Sequence, residues 1–285
     1  MYRVKVITYR TLLFFLLRMP DVFYSALFNV AFPVYRALHT QRAYGRTARH
    51  LAKAHLDISA RDVFRGIFWN ALDSYRGLAR FKSVENRIVF ENEEIIRDAI
   101  AECSKNGAPI AGISIHQGAF ELMHRILCRY SEHVHLITDS VGDSAFREVL
   151  KELRSDPHLT EYHPDETGRL IRDLFRTKGI LAMVVDQGRH TKGNEITLFG
   201  KPSTLYLRLP QKINRMGAGI VIFRTWTENS PERHIIMRFE KYFPPHFEEQ
   251  GGNLPAEIAH EVETWIKENP SQWSWNYHGN FVKPE

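Results

Sequence analysis

The segment Pro109-Ile-Ala-Gly-Ile-Ser-Ile-His-Gln-Gly-Ala-Phe-Glu121 predicts a short buried strand that stops at a histidine, then a glycine turn and a helix. In open α/β sheets, ligands bind at the carboxyl ends of strands, so His116 lies where chemistry usually takes place. Glu121 follows five positions later, on the first turns of the predicted helix. A neutral imidazole oriented by a carboxylate can take a proton from a hydroxyl. We therefore interpret His116 as a general base for acyl transfer, with Glu121 as its partner.

The alternative is that His116 only caps the strand and that Glu121 is a solvated helix residue. Spacing alone does not decide between them, because the chain holds 14 His and 33 acidic residues and the same spacing recurs at His190 and Glu195. Only His116 stands between an apolar strand and a glycine turn. Its context therefore favours the catalytic interpretation.

From Arg87 onward, short apolar runs alternate with helical patterns. Strands are expected near 87–90, 109–115, 133–138, 180–185, 219–225 and 233–239, and helices near 92–106, 118–130, 143–154, 165–178, 204–216 and 255–268. This alternation predicts an α/β fold with a central, mostly parallel (mixed) sheet flanked by helices. The run 219–240 predicts an antiparallel hairpin at one edge of that sheet. Gly107 and Gly179 stand where helices should end, and Ser59 to Asp62 predicts the capped start of an earlier helix.

Four blocks of the sequence carry a family resemblance. They are His116 to Glu121; an apolar strand ending in Asp186-Gln187, with a turn at Leu198-Phe-Gly-Lys-Pro-Ser-Thr204; the strand Gly219 to Arg224; and Gln272-Trp-Ser-Trp275. In order and spacing they resemble the lipid A biosynthesis acyltransferase family, the late lauroyl and myristoyl acyltransferases, over roughly residues 60–280. The family pattern His-x-Gly-Asn-Trp-Glu is altered here at Ala119-Phe120, and its usual His-Arg-Arg-aromatic ending is replaced at 277–281.

The resemblance implies an O-acyltransferase that moves a fatty acyl chain from a thioester, most simply on acyl carrier protein, to a hydroxyl of a lipid A-type glycolipid precursor. It also implies that the enzyme acts at the cytoplasmic face of the inner membrane and uses no metal or organic cofactor. Two alternatives stay open at this point. One is an acyltransferase for another lipid, such as a phospholipid, mannoside or aminolipid. The other is a catalytically silent membrane-binding relative.

Five further residues are predicted to bind substrate. The backbone amides of Gln117 and Gly118 are candidate donors to the oxyanion that forms at the thioester carbonyl. Asp186, with Gln187 beside it, can orient a substrate hydroxyl or a neighbouring basic group, or only cap the loop 188–197. Arg224 can bind a phosphate or carboxylate, or only pair with Asp186. His116, Asp186 and Arg224 all stand at predicted strand ends, so we expect them to converge on one crevice.

The composition limits the kinds of partner that the protein is expected to bind. Residues 1–82 hold 14 basic and 4 acidic residues, and the rest of the chain holds 24 basic and 29 acidic residues. A basic, aromatic-rich amino-terminal part suits an anionic membrane surface or an acidic carrier protein. No nucleic-acid-binding motif is present, so we expect no nucleic acid partner. Cys103 and Cys128 have no zinc spacing, and His133, His135 and Asp139 are better explained by a partly exposed strand than by a metal site.

The amino-terminal 40 residues are predicted to form a separate, membrane-interacting helical segment, followed by an α/β acyltransferase domain at 41–285. Residues 11–17 and 22–35 are apolar, but Arg18, Pro20 and Asp21 separate them and neither is long enough to span a bilayer. We expect two short helices in the membrane interface. Their basic residues would then face lipid headgroups; these are Arg3, Lys5, Arg10, Arg18 and Arg36. The alternative is that these apolar faces pack on the following domain as ordinary core.

Overall fold

The computed structural model describes residues 2–39, 41–138, 143–187, 192–228 and 233–275. The altered ending at 277–281, together with Asp139 and His190, lies outside these residues, as does the side chain of Arg36. The described residues form the following α-helices: α1 Tyr2–Leu16, α2 Asp21–His39, α3 Gln41–Lys53, α4 Ala60–Ala79, α5 Phe81–Val84, α6 Glu93–Lys105, α7 Met123–Leu127, α8 Ser144–Arg154, α9 Thr167–Thr177, α10 Arg208–Arg215 and α11 Leu254–Glu268. Their strands are β1 Ile88–Glu91, β2 Ile110–Ser114, β3 Val134–Ile137, β4 Leu159–Tyr162, β5 Ile180–Val184, β6 Asn194–Leu198, β7 Lys201–Leu205, β8 Gly219–Thr227 and β9 Ile235–Phe243.

Seven strands form one mixed sheet in the order β1-β9-β8-β2-β5-β3-β4. Every neighbouring pair is parallel except β8 and β9, which confirms the predicted mostly parallel sheet and the antiparallel hairpin. The hairpin is not at the edge, however, because β1 pairs with the outer side of β9. The central strand β2 lies between β8 and β5 and is buried along its whole length.

Helices cover both faces of the sheet, as predicted. Alternate residues of β2 divide between two hydrophobic cores: Ile113 belongs to the core that includes α9 and α11, and Ile110 to the core beneath α6 and α7. This alternation is what a strand buried on both faces requires. The sheet is therefore the middle layer of a three-layer sandwich.

The structure differs from the predicted elements in three places. The helix expected at 204–216 begins only at Arg208, because residues 194–205 form the separate hairpin of β6 and β7. The short edge strand β4 was not predicted, since its Thr160-Glu161 centre lacks an apolar run. The helix expected at 118–130 is a 3-10 turn at Phe120–Leu122 followed by the single short helix α7.

The predicted helix ends are partly confirmed. Ser59 caps α4, since its side chain accepts a hydrogen bond from the Asp62 amide. Gly107 follows α6 in the left-handed conformation, at φ +64°. After α9 the left-handed residue is instead Lys178, and Gly179 has another function: a Cβ there would lie 2.2 Å from the carbonyl oxygen of His133.

The amino-terminal helices pack on the sandwich with one face and expose the other. α1 lies against α8, where Lys5 pairs with Asp143 and Arg10 pairs with Glu152. Lys5 and Arg10, which the sequence-based expectation assigned to lipid headgroups, are therefore half-exposed and ion-paired with acidic side chains of the protein. Within the described residues, no helix combines the length and apolar character needed to cross a bilayer.

Candidate active site

His116 and Asp186 meet at the carboxyl ends of two neighbouring strands. β2 and β5 are parallel and pair Ser114 with Val184, so the residues two positions further on in each strand lie side by side. Nδ1 of His116 is 2.7 Å from Oδ1 of Asp186. The backbone amide of His116 also donates to Oδ2 of Asp186, at 3.0 Å. The register of the sheet therefore builds a histidine–carboxylate pair without any contribution from a helix.

The carboxylate of Asp186 is held rigidly from several sides. Besides its two contacts with His116, its Oδ2 accepts a hydrogen bond from Nε1 of Trp273 at 2.9 Å. The Asp186 side chain is 1% exposed, whereas the His116 side chain is 17% exposed. A buried carboxylate needs such donors to remain ionised. The imidazole is thus the member of the pair that a substrate can approach.

The surroundings of His116 favour its protonated form. Burial by itself lowers the pKa of the imidazole, but the charge and hydrogen bond of Asp186 and the charge of Glu121 outweigh it, so the pKa of His116 is raised above its usual 6.5. Phe120 closes one side of the imidazole, with an edge-on ring contact at 4.6 Å between centroids. The imidazole is therefore suited to accept a proton and to hold it briefly as imidazolium.

Glu121 acts differently from its predicted role as the group that orients the imidazole. Arg154, at the end of α8, donates to both of its carboxylate oxygens, through Nε at 3.0 Å and Nη2 at 2.8 Å. The contact that fixes the imidazole tautomer comes from Asp186, so that part of the expectation is corrected. The cause is the turn after β2, which places Glu121 on the 3-10 segment beside α8. Glu121 influences His116 through its charge.

Gln117 and Gly118 are built into the fold. The Gln117 side chain is fully buried and donates to the carbonyl of Trp265 at 2.9 Å. The backbone amides expected to meet an oxyanion already donate elsewhere, that of Gln117 to Ile115 at 2.7 Å and that of Gly118 to Gln272 at 3.1 Å. In this conformation neither amide is directed at a substrate.

Position 118 of the motif requires a glycine for steric reasons. Gly118 has a φ of +58°, and a Cβ there would lie 2.3 Å from the carbonyl oxygen of Thr225 on β8. Any other residue would both strain the backbone and push the turn away from the sheet. Gly118 therefore sets the position of the turn that follows His116.

The terminal Gln-Trp-Ser-Trp block secures this turn from outside. Trp273 forms an antiparallel bridge with Gln117, and the amide of Ser274 donates to the carbonyl of His116 at 3.1 Å. Gln272 joins the same block to the end of β8, where its side chain bonds the amide and the carbonyl of Thr227 at 2.8 and 2.7 Å. Sequence reasoning singled out this block without finding its function, which is to fix the His116 backbone and the Asp186 carboxylate.

Arg224 does not join the pair at the strand ends. β8 continues to Thr227, and Arg224 is 2% exposed on the face covered by α11. There its guanidinium pairs with Glu240 at 2.6 Å and with Glu268 at 2.5 Å. The expected convergence of three strand ends therefore holds only for His116 and Asp186. Gln187 follows Asp186 directly and is half-buried.

His135 is a buried structural histidine and not part of an exposed strand. Its two ring nitrogens bond the Tyr162 hydroxyl at 3.2 Å and the Thr177 hydroxyl at 2.9 Å. Burial lowers the pKa of His135 to about 4, so the imidazole is neutral. Among the described residues, no group of three or more His, Cys, Asp or Glu side chains is arranged to hold a metal ion.

Comparison with known proteins identifies the family to which the chain belongs. The sequence model of the family described as bacterial lipid A biosynthesis acyltransferase matches residues 76–278. This range includes His116, Glu121, Arg154, Asp186 and the terminal tryptophan block. The chain belongs to this acyltransferase family. No curated protein sequence is similar enough to count as a match.

Proposed function

On the premise of that family membership, we propose that this protein transfers a fatty acyl chain from an acyl thioester, carried by acyl carrier protein, to a hydroxyl of a lipid A-type glycolipid precursor. The observation that carries the proposal is the 2.7 Å contact between His116 and a buried Asp186 at the end of the central strand. A complete histidine–carboxylate pair also argues against a silent relative that only binds membranes.

The pair supplies the proton transfers that the reaction needs. With the Nδ1 proton held by Asp186, Nε2 carries the lone pair and takes the proton from the acceptor hydroxyl as its oxygen attacks the thioester carbonyl. The C–S bond then breaks, the imidazolium returns the proton to the departing thiolate, and an ester and a free thiol result. Asp186 and the charge of Glu121 stabilise the imidazolium between these two steps.

We propose that transfer is direct, without an acyl-enzyme. A thioester is already activated, so no nucleophilic side chain is required. Ser114 is 1% exposed inside β2, and burial raises the pKa of the Cys128 thiol to about 12. Burial likewise raises the pKa of Cys103. These groups are poor nucleophiles, because a thiol reacts as its thiolate.

The exposed face of α1 and α2 supports attachment to the cytoplasmic face of the inner membrane. Ten large apolar side chains on these two helices are between 46% and 78% exposed: Tyr2, Val4, Ile7, Leu12, Phe14, Phe15, Val22, Phe23, Val30 and Val34. Helices in the membrane interface present such a face to the acyl chains. Arg18 and Arg3 stand at the exposed surface beside it, where an anionic leaflet attracts basic side chains.

The decisive experiment replaces His116 by alanine in the purified, detergent-dispersed enzyme. Removal of a general base should lower the rate by roughly 10² to 10⁴. His133→Ala is the matched control, since His133 is exposed and precedes β3 at the opposite end of the sheet. Turnover of His116→Ala near that of the control would refute the mechanism.

The acceptor needs a separate experiment. Lipid profiling of a strain that lacks this protein should show a glycolipid missing one acyl chain. Loss of an acyl chain from a phospholipid, mannoside or aminolipid instead would retain the chemistry and replace the acceptor.

Mass spectrometry of the enzyme with donor alone tests whether transfer is direct. It should show no stoichiometric acyl adduct on Ser114, Cys103 or Cys128.

A further inference from the structure

A cavity of about 210 Å³ lies between α4, α5 and the start of β9, and arginines dominate its wall. Arg76 lies in the last turn of α4, Arg80 directly follows that helix, and Arg87 comes from the 3-10 turn before β1. Ser83 adds a hydroxyl. A water molecule occupies roughly 30 Å³ in the liquid, so the cavity has room for a phosphoryl group with part of its hydration.

The acidic residues at this cavity are committed to other partners. Asp73, the carboxylate in the wall, forms an ion pair with Arg233 at 2.6 Å and accepts a hydrogen bond from Thr227 at 3.2 Å. Glu85, two residues before Arg87, pairs with Arg129 at 2.9 Å. The charge of Asp73 is thus balanced by Arg233, and that of Glu85 by Arg129.

The positive charges of Arg80 and Arg87 have no carboxylate within ion-pair distance in the part of the chain that the structure describes. Arg80 is exposed at the end of α4. Arg87 donates one N–H to the carbonyl of Arg233 at 2.6 Å, and its Nε is buried without a hydrogen-bond partner among the described residues. A carbonyl does not neutralise a guanidinium. Two guanidinium groups on one small cavity create a positive potential that an anion would relieve.

The cavity lies at the same end of the sheet as His116. β2, β5 and β8 are parallel, and Thr227, which bonds Asp73 in the cavity wall, is the last residue of β8. α4 also packs on the turn that carries Glu121: a Cβ at Gly77 would lie 2.6 Å from the side chain of Leu122. An anion in the cavity would therefore lie at the same end of the sheet as the proposed reaction site.

We propose that this cavity is a phosphate-binding subsite of the enzyme. Arginine matches phosphate with several N–H donors in a fixed plane, and paired arginines can grip it from two directions. The inference rests on the acyl-transfer function proposed above. Two substrates of that reaction can supply the group: a phosphate on the sugar of the acceptor glycolipid, or the phosphodiester of the arm that holds the thioester on its carrier.

Arg80→Gln in the full-length enzyme tests the subsite, with Lys82→Gln as matched control. Lys82 is exposed on α5 two residues away and does not line the cavity, so it makes the same change in charge nearby. A phosphorylated and a phosphate-free acceptor are compared, as are a carrier-bound thioester and an acyl-N-acetylcysteamine thioester. We expect Arg80→Gln to raise KM about tenfold for one phosphate-bearing substrate, with kcat unchanged.

The outcomes separate the two sources. A higher KM only for the phosphorylated acceptor assigns the subsite to the glycolipid, and a higher KM only for the carrier-bound donor assigns it to the carrier arm. The proposal would be overturned if Arg80→Gln and Lys82→Gln changed KM equally, or if Arg80→Gln raised KM equally for substrates with and without the phosphate.

A binding measurement keeps the subsite testable even if the protein transfers no acyl chain. Inorganic pyrophosphate should raise the Tm of the wild type and of Lys82→Gln, and should do so much less in Arg80→Gln. An identical rise in all three proteins would show that the cavity is not the site. Failure of acyl transfer with an Arg80-dependent rise in Tm would refute the proposed reaction and retain the anion site.

Discussion

The carboxyl end of the sheet and the amino-terminal helices invert the usual distribution of side chains in opposite ways. At the sheet end, polar groups are inside: Asp186 and Gln117 are almost completely buried. On the helices, apolar groups are outside: Val4, Val22 and Val30 are 65%, 78% and 71% exposed. Soluble domains seldom do either without a reason.

The two inversions differ in how they are compensated. Asp186 receives hydrogen bonds from the His116 backbone and from Trp273 in addition to its contact with the imidazole, so its burial is balanced within the chain. The apolar face of α1 and α2 has no such compensation among the described residues, because large side chains there contact solvent. The buried Asp186 carboxylate therefore has its hydrogen-bond partners within the chain, whereas a large exposed apolar face usually marks a surface that contacts a membrane or another protein.

Asp186→Asn should have the largest effect on the rate of acyl transfer, because it removes the carboxylate that contacts His116 while the size and shape of the side chain stay the same. Oδ2 accepts two N–H donors, so the amide oxygen must take that position and the amide NH₂ must face Nδ1 of His116. The imidazole is then forced to carry its proton on Nε2, the wrong tautomer for a base. We expect the rate to fall by roughly 10³ to 10⁴.

Its measurement is steady-state turnover, with circular dichroism and the Tm as checks on folding. Asp165→Asn is a useful control, since Asp165 forms a largely exposed contact with His163. If Asp186→Asn folds normally and keeps most of its activity, then the His116–Asp186 pair holds the strand ends together and does not perform catalysis.

Glu121→Gln should have a smaller effect on the rate. It tests whether Glu121 acts on His116 through its negative charge, as distinct from its contact with Arg154. The substitution removes a negative charge that raises the pKa of His116, so the pKa should fall and the imidazolium should form less readily. We expect roughly a tenfold to hundredfold loss of rate. It should also lower stability by roughly 3 kcal/mol, because Arg154 is left largely buried without its carboxylate.

The direction of the pH change distinguishes this role from a purely structural one. In Glu121→Gln, the acid limb of the rate profile should move to lower pH. Glu152→Gln, which removes an exposed partner of Arg10 on α8, should leave the profile in place. Loss of stability without movement of the limb would make Glu121 only an anchor for Arg154.

The wild-type profile itself follows from the raised pKa of His116. The proposed base must be neutral to accept a proton, so kcat/KM should fall as the pH drops through that pKa, by about tenfold per pH unit. Because the pKa is raised from 6.5, the midpoint should lie above 6.5. A midpoint below 6.5 would contradict the observed environment of His116.

The comparison also shows how far sequence reasoning reached. The strand ends could be predicted, because an apolar run that stops at His116 or Asp186 is a local pattern. The pairing of these two residues could not, since it depends on β2 and β5 being neighbours in register. Glu121 was close in sequence and was therefore assigned the contact that the sheet gives to Asp186.

Arg154 and the Trp273 block illustrate the same limit at longer range. Arg154 stands in the last turn of a predicted helix, where arginine is common, and nothing local marks it as the partner of Glu121. The Trp273 block was noticed only because it resembled a family pattern. Its bonds to His116 and Asp186 join residues far apart in the chain.

The smallest expected effect concerns the exposed apolar face. Phe14 is 52% exposed on α1, and Met216, at the end of α10, is 48% exposed. Phe14→Ser should weaken binding of the purified protein to vesicles of anionic phospholipid by about tenfold, since the lost transfer free energy of one partly buried ring is roughly 1 to 2 kcal/mol. Met216→Ser should bind as the wild type does, because it lies outside this face.

Salt separates the apolar contribution from the electrostatic one. Lys5 pairs with Asp143, just before α8, and Arg10 pairs with acidic residues of α8. Basic side chains at the surface should therefore contribute less than their number suggests, and binding should fall only modestly between low and high salt. Vesicle flotation with each variant, at low and at high salt, measures both the apolar and the electrostatic contribution to binding. If Phe14→Ser and Met216→Ser bind equally well, or if salt alone releases the wild type, the exposed face of α1 and α2 does not insert into the membrane and must be covered in another way.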